Sequence, residues 1–144
     1  MKAIDAVEVM KGMVAAVNSW DFEKAASFFT DDLVYEDIPS GKVWHGIKEY
    51  IDFARMVRNE FPDRTWKLKS AFSDGRRIAS ETVWSGTFTH SSNPERPATG
   101  KYVSVRCVSI TEVHNGKICH NSDYYDMLSV SQQLGSLLPG HHSD

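Results

Sequence analysis

The sequence predicts an α+β domain in which helices pack on one face of a curved antiparallel sheet and close it into a cone around a pocket. Three observations carry this. Apolar residues recur at helical spacing through the first part of the chain, the pattern switches to strand alternation beyond Pro62, and four longer strands then follow in sequence with turn residues between them. A strongly bent sheet closed by helices leaves an interior too large for side chains to fill, and small-molecule sites are usually found in such interiors. The chain has 144 residues, 41% hydrophobic and 24% charged, so one core suffices without a disulfide or structural metal.

In order along the chain, Ala3, Val7, Met10, Val14 and Val17 line one face of a first helix ending near Asn18-Ser19. Asp21 caps a short second helix, Phe22 to Phe29, closed by Thr30-Asp31-Asp32. Leu33 to Ile38 alternates as a short strand. After the turn Pro39-Ser40-Gly41, Ile47, Tyr50, Ile51, Ala54, Val57 and Phe61 mark a third helix that must stop before Pro62. Trp66, Leu68, Ser70 and Phe72 occupy one side of the next strand, and Ser73-Asp74-Gly75 turns it into Ile78 to His90. Ser91 to Gly100 is a polar loop inside the domain, because the strand after it needs partners on its N-terminal side. Tyr102 to Val113 and Ile118 to Tyr125 form a last hairpin. A short amphipathic segment, Met127 to Leu138, follows, with Asp126 as its cap. Residues 1–138 thus read as a single domain and 139–144 as a disordered tail.

The formal charge of −3 and the absence of like-charged runs provide no field for a phosphate backbone, so no nucleic-acid partner is expected. No apolar stretch reaches the ~18–20 residues that span a bilayer, and Met1 to Asp5 lacks the apolar region of a signal peptide, so a cytoplasmic chain without a membrane partner is expected. Cys107 and Cys119 lie in paired strands where a bridge is conceivable, but reduced, half-buried thiols fit a cytosolic chain better. The histidines and carboxylates show no HExxH spacing, and no CxxC, phosphate-binding loop or GxSxG occurs, so neither metal nor cofactor is expected.

The register of the last hairpin decides which side chains face inward. A two-residue turn at Asn115-Gly116 puts Asp123 on a face with Val108 and Arg106. A three-residue loop, His114-Asn115-Gly116, instead makes Asp123 a neighbour of Cys107 and Asn121 a neighbour of Ser109. The second arrangement is favoured, because it gathers Cys107, Ser109, Asn121, Asp123 and Tyr125 as a cavity lining and leaves Arg106, Glu112, His120 and Ser122 on the other face.

Several motifs resemble known families. Val14-Ala15-Ala16-Val17-Asn18, Trp20-Asp21, Phe28-Phe29-Thr30-Asp31-Asp32, Tyr35-Glu36-Asp37 and Gly46-Ile47 resemble the front half of ketosteroid isomerases. Gly116-Lys117-Ile118, Asp123-Tyr124-Tyr125-Asp126 and Gln132-Gln133-Leu134-Gly135 resemble SnoaL-like polyketide cyclases. Both families belong to the nuclear-transport-factor-2-like superfamily of cone-shaped, cystatin-like α+β barrels, and the resemblance spans nearly the whole chain. It implies cofactor-independent acid-base chemistry on a hydrophobic cyclic carbonyl compound such as a polyketide, steroid or terpenoid, of the lyase or isomerase type. By this resemblance Asp37 falls on the isomerase general base and Asp123 on the cyclase acid/base.

Tyr35, Ser109 and Asn121 are then candidate donors to an enolate oxygen, and Tyr125 and Trp84 candidate substrate contacts. Met13 stands at the position of the isomerase tyrosine and Ser109 at that of the cyclase histidine. That motivates an alternative, a binding or assembly module of the same fold without chemistry. A third reading, epoxide hydrolysis, takes Arg106 as its starting point, although Val108 follows where those enzymes carry an aspartate. Val108, Ile110 and Ile118, beside His120 and Tyr124, predict a homodimer through the outer sheet face.

Overall fold

The computed structural model describes residues 3–135, with side chains from residue 6 onward. The elements are α1 (Ala3–Asn18), α2 (Phe22–Ala26), β1 (Phe29–Asp37), β2 (Lys42–His45), α3 (Ile47–Glu60), β3 (Thr65–Ser73), β4 (Arg77–Thr87), β5 (Tyr102–His114), β6 (Lys117–Tyr125) and α4 (Met127–Leu134). The six strands form one sheet in the order β2-β1-β6-β5-β4-β3, curved and unclosed, with helices against its concave face. Every neighbouring pair is antiparallel except β1 and β6, which run parallel. The expected tail, together with Leu138, lies outside the described residues.

Of its predicted stripe the first helix buries Met10, Val14 and Val17, with Val7 half-buried, and it buries Met13 as well, each full burial contributing roughly 1.5–3 kcal/mol. Gly12 lets this helix approach closely, since a Cβ there would stand 2.7 Å from the Phe28 ring. Asn18 then clamps the helix end to β3, accepting from the Trp66 amide at 2.8 Å and donating to the Trp66 carbonyl at 2.6 Å. Asp21 caps α2 as expected, accepting from the Lys24 amide. That helix ends at Ala26 rather than Phe29, because Phe29 instead begins β1 beside Ile118. Between the Pro39-Ser40-Gly41 turn and α3 the chain also forms the strand β2, an edge against β1 whose four residues are mostly exposed and so lack strand-like burial alternation.

Two bulges re-aim side chains. In β3 the register shifts between Leu68 and Ser70, so Ala71 packs on the core while Phe72, expected beside Trp66, is 72% exposed. In the last hairpin Asn115 (φ 50°) and Gly116 (φ 77°) make the two-residue turn, pairing His114 with Lys117. The favoured three-residue loop is therefore corrected. The register then slips between Glu112 and Val113, with Cys119 the extra residue of β6. Ile118 and Asp123, an odd number of residues apart, consequently both face inward. Ser109 lies opposite Asp123, Thr111 opposite Asn121 and Cys107 opposite Tyr125, so the expected inward set holds although its pairing moves by one pair. Ile118 is fully buried in the core and not on the outer face, where Val108 and Tyr124 are exposed. Cys107 and Cys119 are free thiols.

Candidate active site

The core divides into two apolar clusters. One lies under α1 and includes Phe29, Leu33, Tyr35, Tyr50 and Trp66; the other is Phe61, Phe88, Val103, Val130 and Leu134. Where they meet, a cavity of about 240 Å³ remains, somewhat below the ~300–1,000 Å³ usual for small-molecule sites. Its walls are mainly aromatic and aliphatic, with Trp44, Phe53, Trp84 and Met127 contributing, and exposed Lys42 stands at its rim.

Asp37 and Asp123 are brought together here by the parallel pairing of β1 and β6, in which they are direct partners. Parallel neighbours present their side chains to the same face, so two carboxyl groups stand side by side on the apolar wall. Asp123 is held by three donors. Its Oδ1 accepts from Ser109 Oγ at 2.6 Å and Asn121 Nδ2 at 2.8 Å, and its Oδ2 accepts from the Tyr35 hydroxyl at 2.6 Å. Asn121 is itself oriented by Thr111, whose hydroxyl donates to Oδ1 at 2.6 Å. Burial pushes the Asp123 carboxyl above the ordinary aspartate range, and Asp37 beside it pushes the same way, while the three donors favour its charged form without reversing the shift.

Asp37 is held more loosely. Its Oδ2 accepts from the Tyr125 hydroxyl at 2.9 Å, and its buried Oδ1 has no hydrogen-bond partner. Burial raises this carboxyl too, opposed by Tyr125, Ser40 and Lys42. Burial likewise raises the Tyr35, Tyr50 and Tyr125 hydroxyls, reinforced for each by the Asp123 charge, and pushes the Cys107 thiol up to about 12. These phenols are therefore neutral donors, as a group stabilising developing negative charge must be.

The sequence-predicted residues thus divide. Asp123, Asp37, Tyr35, Tyr125 and Trp84 line the cavity. Ser109 and Asn121 do not: both are buried behind Asp123 and spend their donors on it, so they are corrected from ligand contacts to carboxylate supports. Arg106 is on the outer face, its side chain 78% exposed and paired with Glu81 at 2.7 Å. Asp126 is a helix cap, accepting from the Ser129 amide, and His45 and His90 are exposed away from the cavity. Tyr50, stacked on Tyr35 with ring centres 4.5 Å apart, Glu60, Arg64 and Arg96 also line the cavity and carried no sequence signal separating them from core or surface residues. Among the described residues no cluster of three His, Cys, Asp or Glu side chains converges as a metal site would.

Residues 7–134 match the family described as SnoaL-like polyketide cyclase. Solved structures share the fold at low identity. TsrD from Streptomyces laurentii is 21% identical with a TM-score of 0.82, over 95% of this chain and 99% of that one. A protein with a ketosteroid isomerase-like fold from Catenulispora acidiphila, in complex with trimethylamine, is 18% identical with a TM-score of 0.77, over 94% and 98%. An LEH-like epoxide hydrolase from M. tuberculosis is 19% identical with a TM-score of 0.75, over 92% and 90%. Among curated proteins none matches the chain significantly.

Proposed function

The chain belongs to the SnoaL-like polyketide cyclase family, and from that premise we propose that it is a cofactor-independent enzyme performing acid-base chemistry on a hydrophobic cyclic carbonyl compound held in the cavity. The observation that carries this reading is the pair of carboxyl groups, Asp37 and Asp123, side by side on an apolar wall, each raised above the ordinary aspartate range by burial. A carboxylate with raised proton affinity is a better base than an ordinary aspartate.

Asp123 takes the proton from the carbon beside the substrate carbonyl and returns it at a second position. Two adjacent carboxyl groups in one site titrate as a pair, so Asp37 sets when Asp123 is charged. Negative charge then passes to the carbonyl oxygen; the Tyr35 hydroxyl, which donates to Asp123 while that group is charged, is released when Asp123 takes the proton and turns to the oxygen as a neutral donor. The aromatic walls exclude water and stack on flat rings. A polyketide, steroid or terpenoid ketone fits this chemistry, in a cytoplasmic homodimer assembled through the exposed Val108 and Tyr124 of the outer sheet face.

One observation favours the alternative of ligand binding without turnover: both oxygens of Asp123 are already engaged by three protein donors. Exchange of α-hydrogens for deuterium in a panel of cyclic ketones, followed by NMR, separates the two. Asp123→Asn should lower exchange by about 10²–10⁴-fold with the fold intact, the usual contribution of a positioned acid/base. Undiminished exchange in that variant overturns the catalytic assignment.

A further inference from the structure

Arg64 is an isolated cation in the cavity wall. It is 7% exposed and lies between α3 and β3, and its side chain makes one hydrogen bond among the described residues, from Nη2 to the Val17 carbonyl at the end of α1 at 2.9 Å. Its Nε–H is buried without a partner. The other arginine of the cavity, Arg96, is paired with Glu60 at 3.6 Å, whereas Arg64 forms no ion pair among the described residues. Asp37 and Asp123 line the same cavity without pairing with it, and Tyr35, which donates to Asp123, is stacked on Tyr50 in that wall.

A guanidinium withdrawn from water without a counter-ion is costly to keep charged. Part of that cost is offset by Trp20, whose ring lies 4.2 Å from the guanidinium carbon. Trp20 holds φ at 60°, a left-handed conformation unfavourable for a bulky side chain. The chain therefore adopts a strained backbone where an aromatic ring is shared by this cation and, at 5.5 Å, by Arg58. The remaining deficit is a partner for the charge, and a planar group with two oxygens is what the fork of guanidinium donors matches best.

We propose that Arg64 is a specificity-determining residue and that the ligand of this cavity carries a carboxylate, paired with Arg64, while its carbonyl-bearing ring lies against Asp37 and Asp123. This deepens the acid-base reading and rests on it for the placement of the ring. It narrows the substrate class from neutral hydrophobic ketones to cyclic carbonyl compounds bearing a carboxylic acid.

Calorimetric titration of the full chain with naphthalene carboxylic acid and its neutral carboxamide, near neutral pH, tests it without any variant. The acid should bind about ten-fold or more tightly than the amide. In Arg64→Met that preference should fall to about one, and Arg64→Lys, which keeps the charge but not the planar fork, should retain an intermediate preference. Equal affinity of the wild-type protein for acid and amide overturns the role of Arg64 and leaves the cavity as a ligand site. Binding of neither compound overturns both the carboxylate proposal and the reading of the cavity as the site of a cyclic ligand.

Discussion

Asp123 and Asp37 are direct partners across parallel strands, face the same apolar space and are both raised by burial, yet their surroundings differ. Asp123 has three donors on its two oxygens, one of them, Asn121, supported from behind by Thr111. Asp37 has one donor and an oxygen without a partner, near the rim where Lys42 and Ser40 lie. Proximity alone therefore does not make two carboxyl groups equivalent. Each hydrogen bond to the charged form draws the proton affinity down and each lost water draws it up, so the more deeply buried Asp123 stays raised in spite of its three donors.

The comparison breaks most completely if the register of β6 beyond its bulge moves by one. Inserting one residue after His120 shifts every later pair, places Asp123 opposite Val108 on the outer face, and leaves Ser109 without its partner. Destabilisation above about 4 kcal/mol and loss of ligand binding are expected, measured by denaturant unfolding and calorimetry. A stable insertion variant that binds like the wild type would show that this register does not position the site.

Tyrosine substitutions sharpen the comparison. Tyr35→Phe removes the hydroxyl from Asp123 while keeping the ring stacked on Tyr50; above the carboxyl titration range it should cost about 1.5–3 kcal/mol, as hydrogen bonds to charged groups do. Tyr125→Phe removes the longer bond to the less buried Asp37 and should cost less, about 1 kcal/mol. Equal losses in urea unfolding would contradict the difference in burial between the two carboxyls.

The smallest effect is on the pH dependence of stability. Unfolded aspartates titrate near ~3.9, whereas Asp37 and Asp123 hold their protons to higher pH in the folded chain. Over that interval the folded state binds more protons than the unfolded one, so stability is greatest below the ordinary aspartate range and falls as pH rises through the raised values. Asp123→Asn should flatten this fall and Asp37→Asn should flatten it less. A fall of unchanged slope in Asp123→Asn would mean that Asp123 titrates normally.

Much of this molecule is legible from residue type and local spacing. The 3.6-residue stripe of α1, the caps Asp21 and Asp126, the stop of α3 before Pro62 and the strand runs beyond it are short-range effects, decided by neighbours within one or two turns. The cone, and the inward placement of Asp123, Tyr35, Tyr125 and Trp84, also follow from pattern and family resemblance. What only the tertiary structure decided comes from events without a local signature. The bulge at Cys119 changes which alternate residues face inward, and no side chain there announces it. The parallel pairing of β1 and β6 joins segments far apart in sequence and so sets Asp37 beside Asp123. Ser109 and Asn121 look like ligand contacts until the register opposite Asp123 makes them its donors. Arg64 reads as one more surface charge until helix α1 delivers the Val17 carbonyl and Trp20 to it. Local preference depends on neighbours in sequence, while register, burial and charge pairing depend on which distant segments meet, and the chemistry of this site lies with the second.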